Sequence, residues 1–134
     1  MKSKTGHVQF LVKPENVPFY ADLFSFLGWN TIWSGDEGLG VVEENGVSFW
    51  FMTGATGVVN DYDGPGVNHI AIAAESQADV DAASRKLTED GIAMLFETPR
   101  HRPDFAQSET ETYYQIMFET PDRFLLEYVY TGPK

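Results

Sequence analysis

Two histidines are the residues of this chain whose type and spacing first suggest chemistry. His7 begins the alternating apolar stretch of GHVQFLV, and His69 begins that of NHIAIAA. A glycine follows each histidine at nearly the same distance, Gly28 after 21 residues and Gly91 after 22. A repeat of this kind indicates two copies of one structural unit. Two imidazoles at equivalent places in such units could converge on one point.

Glu127 is the third candidate because of its setting. It lies in the apolar sequence FLLEYV, where a carboxylate without a partner would be costly. A metal ion would be one suitable partner. The chain has no cysteine, which excludes disulfides, thiolate zinc sites and cysteine nucleophiles. Any metal must therefore be bound by imidazole, carboxylate or other oxygen ligands.

Length and charge limit the organisation and the partners. A chain of 134 residues is expected to form a single domain, residues 1–134. Its net charge of −11 opposes binding to nucleic acid or to an anionic membrane surface, which depends on clusters of Lys and Arg. No apolar stretch approaches the length needed to span a membrane. We therefore expect a cytoplasmic protein without nucleic-acid or membrane partners.

The first half of the chain predicts a β-α-β-β-β unit, module 1, at about residues 6–54. Alternation over 6–13 indicates a strand, and apolar residues at helical spacing between Asn16, a candidate N-cap, and Gly28 indicate a helix. The last two strands are joined by a turn whose Asn45-Gly46 pair is a strong hairpin signal. The strands after the helix are expected at 29–34, 38–43 and 47–53.

The second half repeats this order as module 2, at about residues 67–132, after a linker at 55–66 that is rich in Gly and Asp. Ser76 and Asp79 resemble a capping box and predict the start of a helix that Gly91 ends. Val80, Ala83 and Leu87 share one face of that helix. The strands are expected at 67–74, 92–97, 111–118 and 123–130.

The two modules differ in length near their ends. Both final strands run into Thr-Gly, and aligning them pairs Phe49 with Glu127. Gly28 precedes Phe49 by 21 residues, whereas Gly91 precedes Glu127 by 36, so the second module has about fifteen extra residues. The simplest place for them is Glu97–Glu109. An insertion of that length in only one copy is often functional.

Two side chains in or near the insertion are candidate catalytic groups. His101 lies between two arginines, where it could be an acid or base above the site or an ordinary solvated residue. Tyr113 and Tyr114 begin the next strand, and one of them should point inward, where a phenol could donate a proton or a hydrogen bond. Alternation does not decide between them. We select Tyr114, which shares a strand face with Ile116 and Phe118.

These phrases resemble the vicinal oxygen chelate superfamily, which includes glyoxalase I, type I extradiol dioxygenases, fosfomycin-resistance transferases and metal-free bleomycin-resistance proteins. The resemblance covers nearly the whole chain and rests on GHVQFLV, LGW, NHIAIA, DVDAASRKLTEDG and FETPDRFLLEYV. It implies an α+β fold in which two βαβββ modules form a cupped, barrel-like mixed sheet around a metal. The last hairpin departs from the usual Pro-Asp-Gly, because it reads Pro121-Asp122-Arg123.

The resemblance also implies a site and a function. The family's metal ligands come from the first and last strands of each module, which correspond to His7, His69 and Glu127. The fourth position falls near Phe49, which cannot bind a metal. Two histidines and one carboxylate resemble the ligand set of extradiol dioxygenases and favour Fe(II), with Mn, Ni, Co or Zn as alternatives.

The implied function is that of a metal-dependent enzyme acting on a small oxygenated substrate, either extradiol-dioxygenase-like or glyoxalase-like. Its reaction would be a ring-opening dioxygenation or a proton transfer beside a chelated carbonyl. The alternative is a metal-free protein that binds a drug or metabolite, as the bleomycin-resistance proteins do. The resemblance further implies a homodimer.

Overall fold

A computed structural model describes all 134 residues and divides them into two compact units. The first unit is Met1–Val59 and the second is Asn60–Lys134. Their boundary lies within the predicted linker at 55–66. Each unit contains one four-stranded sheet and one α-helix in the order β-α-β-β-β. The predicted α+β fold with two βαβββ modules is therefore confirmed.

The first unit is a mixed sheet with a helix packed on one face. Its elements are β1 (His7–Leu11), a 3-10 turn (Pro14–Asn16), α1 (Val17–Phe26), β2 (Asn30–Gly35), β3 (Gly38–Val42) and β4 (Ser48–Met52). The strands are ordered β1-β4-β3-β2, with β1 parallel to β4 and the other pairs antiparallel.

Aromatic packing holds α1 on this sheet. Tyr20 stacks on Phe51 with ring centroids 4.3 Å apart, and Phe24 meets Phe49 edge-on at 5.7 Å. These rings remove large apolar areas from water and prefer such offset or edge-on contacts. Asn16 is at the N-cap of α1, as predicted, although its side chain makes no capping hydrogen bond. Aromatic packing therefore holds this helix on the sheet without a side-chain cap.

The second unit repeats the arrangement of the first. Its elements are β5 (Ile70–Ala73), α2 (Gln77–Glu89), β6 (Arg100–His101), β7 (Glu111–Glu119) and β8 (Leu125–Pro133). The strand order β5-β8-β7-β6 matches that of the first sheet, again with one parallel pair, β5 with β8. The repeat in the sequence is therefore a repeat of topology.

A local sequence signal sets the start of α2. The Ser76 hydroxyl accepts a hydrogen bond from the Asp79 backbone N–H at 3.1 Å and donates one to its carboxylate at 2.8 Å. The predicted cap is confirmed, as is the buried face formed by Val80, Ala83 and Leu87. Neither α2 nor α1 has the length and apolar character that crossing a bilayer would require.

The strand predicted at 92–97 is wrong. This segment makes only an isolated bridge to β7, because Phe96 and Glu97 adopt left-handed backbone angles, with φ of +56° and +60°. The chain turns there, and the Thr98 hydroxyl accepts a hydrogen bond from the Met117 backbone N–H at 3.0 Å in place of a strand carbonyl. The edge strand of the sheet is β6, which lies inside the predicted insertion.

The strand register corrects the pairing of Phe49 with Glu127. In the first sheet, Trp50 lies two residues beyond the partner of His7. In the second sheet, extending the register by one residue pairs His69 with Leu125. Glu127 lies two residues beyond Leu125. Trp50 is therefore the equivalent of Glu127, whereas Phe49 lies on the opposite face of β4, against α1. Neither aromatic residue can bind a metal.

The final hairpin keeps the turn geometry that glycine would favour. Arg123 has a φ of +62°, a left-handed conformation that costs a non-glycine residue about 1–2 kcal/mol. Its guanidinium pairs with Glu119 at 3.3 Å and lies 5.8 Å from the ring centroid of Tyr62. These contacts give the arginine a role at this position that glycine could not supply.

We expect Ser76→Ala to lower the free energy of unfolding by about 1 kcal/mol, because the first turn of α2 would lose its side-chain acceptor. Urea denaturation followed by circular dichroism measures the change. Ser3→Ala, in the exposed N-terminal segment, is the matched control and should leave the midpoint unchanged. Equal midpoints for both variants would contradict a stabilising role for the cap.

Candidate functional site

A pocket of about 530 Å³ lies in the second unit. Alternate residues of two neighbouring strands line it, namely Tyr113, Gln115 and Met117 of β7 and Leu125 and Glu127 of β8. Since successive side chains of a strand point to opposite faces, these residues share the face of the sheet that α2 does not cover. Loops before β5 and around β6 supply the other walls.

Glu127 is the buried charge of this pocket. It is only 3% exposed, and each of its two oxygens has a partner. The Tyr113 hydroxyl donates to Oε1 at 2.6 Å, and Nε2 of His69 lies 3.2 Å from Oε2. The Tyr113 hydroxyl thus compensates one oxygen of the carboxylate that the sequence marked as costly.

Asn68, the residue before His69, determines which nitrogen of the His69 ring carries a hydrogen. The Asn68 side-chain amide donates from Nδ2 to the Tyr62 carbonyl at 2.9 Å, so its Oδ1 faces Nδ1 of His69 at 2.7 Å. Because Oδ1 can only accept, Nδ1 carries a hydrogen. In a neutral ring, Nε2 then directs a lone pair at the carboxylate.

In this arrangement Nε2 of His69 and Oε2 of Glu127 are both acceptors, 3.2 Å apart. Such a pair is stable when a proton or a metal ion lies between the two atoms. A second proton on the ring would serve, and so would a metal ion bound by His69 and Glu127 together. Two ligands that each lie about 2.1 Å from a metal are about 3 Å apart when they subtend a right angle. Nitrogen and carboxylate oxygen are also suitable donors for first-row divalent metals, so this pair fits a metal ion.

The three predicted ligands are not all in this pocket. The structure brings His69 and Glu127 together, while His7 begins β1 in the first unit, on an exposed strand position. No group of three or more histidine and carboxylate side chains is placed so as to hold a metal ion. The pocket therefore contains two of the three predicted ligands, and the role of all three stays a prediction.

Tyr113, and not the predicted Tyr114, reaches the pocket. The Tyr114 hydroxyl donates to Asp81 of α2 at 2.6 Å, on the opposite face of β7. The sequence held a signal for this outcome. Tyr114 alternates with Ile116 and Phe118, an apolar set suited to a helix-covered face, whereas the set that contains Tyr113 is more polar.

His101 also lies away from the pocket. Its Nδ1 hydrogen-bonds with the Thr112 hydroxyl, on the same face of β7 as Tyr114. The next residue, Arg102, does line the pocket, together with Phe105. The Arg102 guanidinium binds Asp104 through Nε and Nη2 at 3.2 and 2.9 Å and lies 4.4 Å from the Phe105 ring centroid. The predicted insertion thus forms a wall of the pocket through these two residues.

The phenol of Tyr113 is held in its protonated form. Burial, together with the hydrogen bond and the negative charge of Glu127, raises the pKa of Tyr113 to about 12. Burial and Asp81 likewise raise the pKa of Tyr114 to about 12. Near neutral pH Tyr113 is therefore a hydrogen-bond donor in the pocket and not a base.

Comparison with known protein families gives one match. The family model described as the Glyoxalase/Bleomycin resistance protein/Dioxygenase superfamily matches residues 6–128. No curated protein matches the chain significantly.

Several solved structures share this fold. A candidate glyoxalase from Bacillus halodurans is 25% identical, with a TM-score of 0.77 and 94% of each chain covered. A glyoxylase/bleomycin resistance protein/dioxygenase domain from Frankia sp. EAN1pec is 21% identical, with a TM-score of 0.71 and coverage of 98% of this chain and 94% of that one. The fosfomycin resistance protein FosX from Listeria monocytogenes, complexed with Mn(II) and sulfate, is 23% identical, with a TM-score of 0.68 and coverage of 97% and 91%.

We expect Tyr113→Phe to lower the free energy of unfolding of the metal-free protein by about 1.5–3 kcal/mol, because a buried carboxylate would lose a charge-assisted hydrogen bond. Tyr114→Phe is the matched control. It removes a phenol hydroxyl that binds Asp81, and Asp81 is less buried than Glu127. Tyr114→Phe should therefore lower the free energy of unfolding by less. Urea denaturation compares the two, and a larger loss in Tyr114→Phe would contradict this assignment.

The raised pKa of Tyr113 predicts a loss of stability at high pH. The folded-state pKa of about 12 lies above the unfolded value of about 10, so the contribution is complete below pH 10 and disappears as the pH approaches 12. Tyrosinate absorbance followed against pH should show one fewer late-ionising phenol in Tyr113→Phe than in the wild type. Identical titration curves would refute the prediction.

Proposed function

The chain belongs to the glyoxalase/bleomycin resistance protein/dioxygenase superfamily, and on that premise we propose that it is a metal-dependent enzyme acting on a small oxygenated substrate in the pocket of the second unit. One observation carries this proposal. Nε2 of His69 and Oε2 of Glu127 face each other 3.2 Å apart, and Asn68 occupies the other ring nitrogen. The pair thus presents two metal-binding atoms at the wall of a pocket large enough for a small molecule.

His69 and Glu127 are the proposed ligands within this pocket, and His7 is the third ligand predicted from the sequence. When bound, a divalent ion would supply Lewis acidity to two vicinal oxygens of the substrate. With His7 the set would be two histidines and one carboxylate, which favours Fe(II) over Mn, Ni, Co or Zn.

The other residues of the pocket supply orientation and a proton donor. Tyr113 holds its proton at neutral pH and can direct it from Glu127 toward a substrate oxygen that gains negative charge. Phe96 and Phe105 expose about half of their surface and line the pocket, where they can cover the apolar part of a substrate and exclude water. Both proposed reaction types, dioxygenation and proton transfer beside a carbonyl, could use this arrangement.

A metal-free binding protein is the second candidate, and the same pair of residues supports it. If His69 carries two ring protons, it donates to Asn68 and to Glu127 and needs no metal. The aromatic walls would then hold a drug or metabolite directly. The two functions therefore differ in which cation His69 and Glu127 share.

Metal titration decides between them. We expect protein purified without a His tag to bind one divalent ion per chain, and we expect His69→Ala and Glu127→Gln to weaken that binding by more than about 100-fold, since each removes a ligand. His101→Ala is the matched histidine control and should leave the affinity for metal unchanged, because His101 lies on the other face of the sheet. Absence of metal in wild-type protein offered Fe(II), Mn(II), Ni(II), Co(II) and Zn(II) would refute the enzyme proposal.

The same titration tests the predicted third ligand. His7→Ala should weaken metal binding as strongly as His69→Ala if His7 is a ligand, and it should have no effect if the ion is held without it. A catechol-cleavage assay on the Fe(II)-loaded protein then tests the dioxygenase reaction. A loaded protein that leaves catechols intact would favour the glyoxalase-like reaction.

A further inference from the structure

Gln115 is a buried polar side chain of the pocket whose amide makes no hydrogen bond within the protein. Five polar side chains in the protein are buried, and four of them make hydrogen bonds within it. Gln115 is 2% exposed, yet its amide makes none. The four side chains that do have partners are Thr98, Thr112, Thr120 and Glu127.

Gln115 lines the pocket. Gln115 shares its strand face with Tyr113 and Met117, and all three line the cavity. Buried amides are normally hydrogen-bonded, because leaving the donor and the acceptor unmet is unfavourable. A residue chosen for folding alone would be apolar at this position. The free amide is therefore suited to meeting a ligand.

The charges around Gln115 indicate what kind of ligand group it meets. Arg100 lies opposite Gln115 on β6 and pairs with Glu97 at 3.5 Å. Arg102 lines the pocket, but its Nε and Nη2 already bind Asp104. Two carboxylates, Asp63 and Glu127, line the pocket as well. An anionic ligand group would therefore meet a cation that already has a counter-ion, in surroundings rich in negative charge. A carboxamide, in contrast, offers one donor group and one acceptor to an uncharged partner.

We propose that Gln115 determines substrate specificity by hydrogen-bonding an uncharged group of the substrate that both donates and accepts, either a hydroxyl or a carboxamide. The substrate carries this group in addition to the two vicinal oxygens. The inference rests on the proposed function, because it names the substrate class of the same pocket. It disfavours a carboxylate at this position, since a carboxylate only accepts and would leave the Gln115 carbonyl without a donor.

The stability of the metal-free protein gives the first test. Gln115→Met replaces the amide by an apolar group of similar length, so it should keep or raise the melting temperature, by up to about 3 °C. The matched control is Gln107→Met at an exposed position, which should change nothing. A melting temperature that falls by several degrees in Gln115→Met alone would show that the amide supports the fold, and it would overturn the proposal.

Ligand selectivity gives the second test, with catechol, 3,4-dihydroxybenzamide and 3,4-dihydroxybenzoate as probes for isothermal titration of the metal-loaded protein. All three carry the same vicinal hydroxyls, so the contribution of the metal to binding cancels when their affinities are compared as ratios. Wild type should bind the benzamide about 3- to 10-fold more tightly than catechol, and Gln115→Met should bind the two equally. The benzoate should bind no better than catechol.

The outcomes separate the two proposals. Metal uptake, measured on the same samples, reports on the proposed function and should be the same in Gln115→Met and wild type. If metal binds and the two proteins show the same benzamide-to-catechol ratio, Gln115 does not determine specificity. A wild-type preference for the benzoate would also overturn the inference, because it would assign recognition to Arg102.

Discussion

The buried carboxylate of Glu127 is the constraint on which the pocket depends. A charge that is 3% exposed must be compensated nearby, and a different part of the second unit supplies each partner. Tyr113 comes from the adjacent strand, and His69 comes from the loop before β5, where Asn68 orients its ring. The same need for a counter-charge is the physical reason for proposing a metal ion between His69 and Glu127.

One equivalent position of the repeated fold holds different residue types in the two units. In the second sheet the position holds Glu127, a charge with a network of partners. In the first sheet it holds Trp50, whose ring lies so close to Gly40 that an added Cβ would be 2.6 Å from it. One unit uses the position for aromatic packing, and the other places a buried carboxylate there. Topology is shared because backbone pairing and helix packing do not depend on that one side chain.

Sequence signals predict the structure correctly where the interaction involves residues close together in the chain. The cap at Ser76, the buried face of α2 and the hairpin at Asn45-Gly46 each involve residues within a few positions of one another. The prediction of a strand at 92–97 is wrong because the chain makes a left-handed turn at Phe96 and Glu97. No glycine in the sequence indicates this turn. The turn lies against β7, where Leu95 donates to the Met117 carbonyl, so contacts distant in the sequence accompany it.

The sequence by itself determined the α+β class and the two modules, and it marked His7, His69 and Glu127 as candidate ligands. Period, repeat and an isolated charge in an apolar run are all properties of the chain. Only the tertiary structure decided that Tyr113 and not Tyr114 enters the pocket, and that Asn68 and Gln115 belong to it. Alternation divides a strand into two faces, but which face a helix covers depends on packing between distant segments. An amide left without a partner can likewise be recognised only when all of its neighbours are in place.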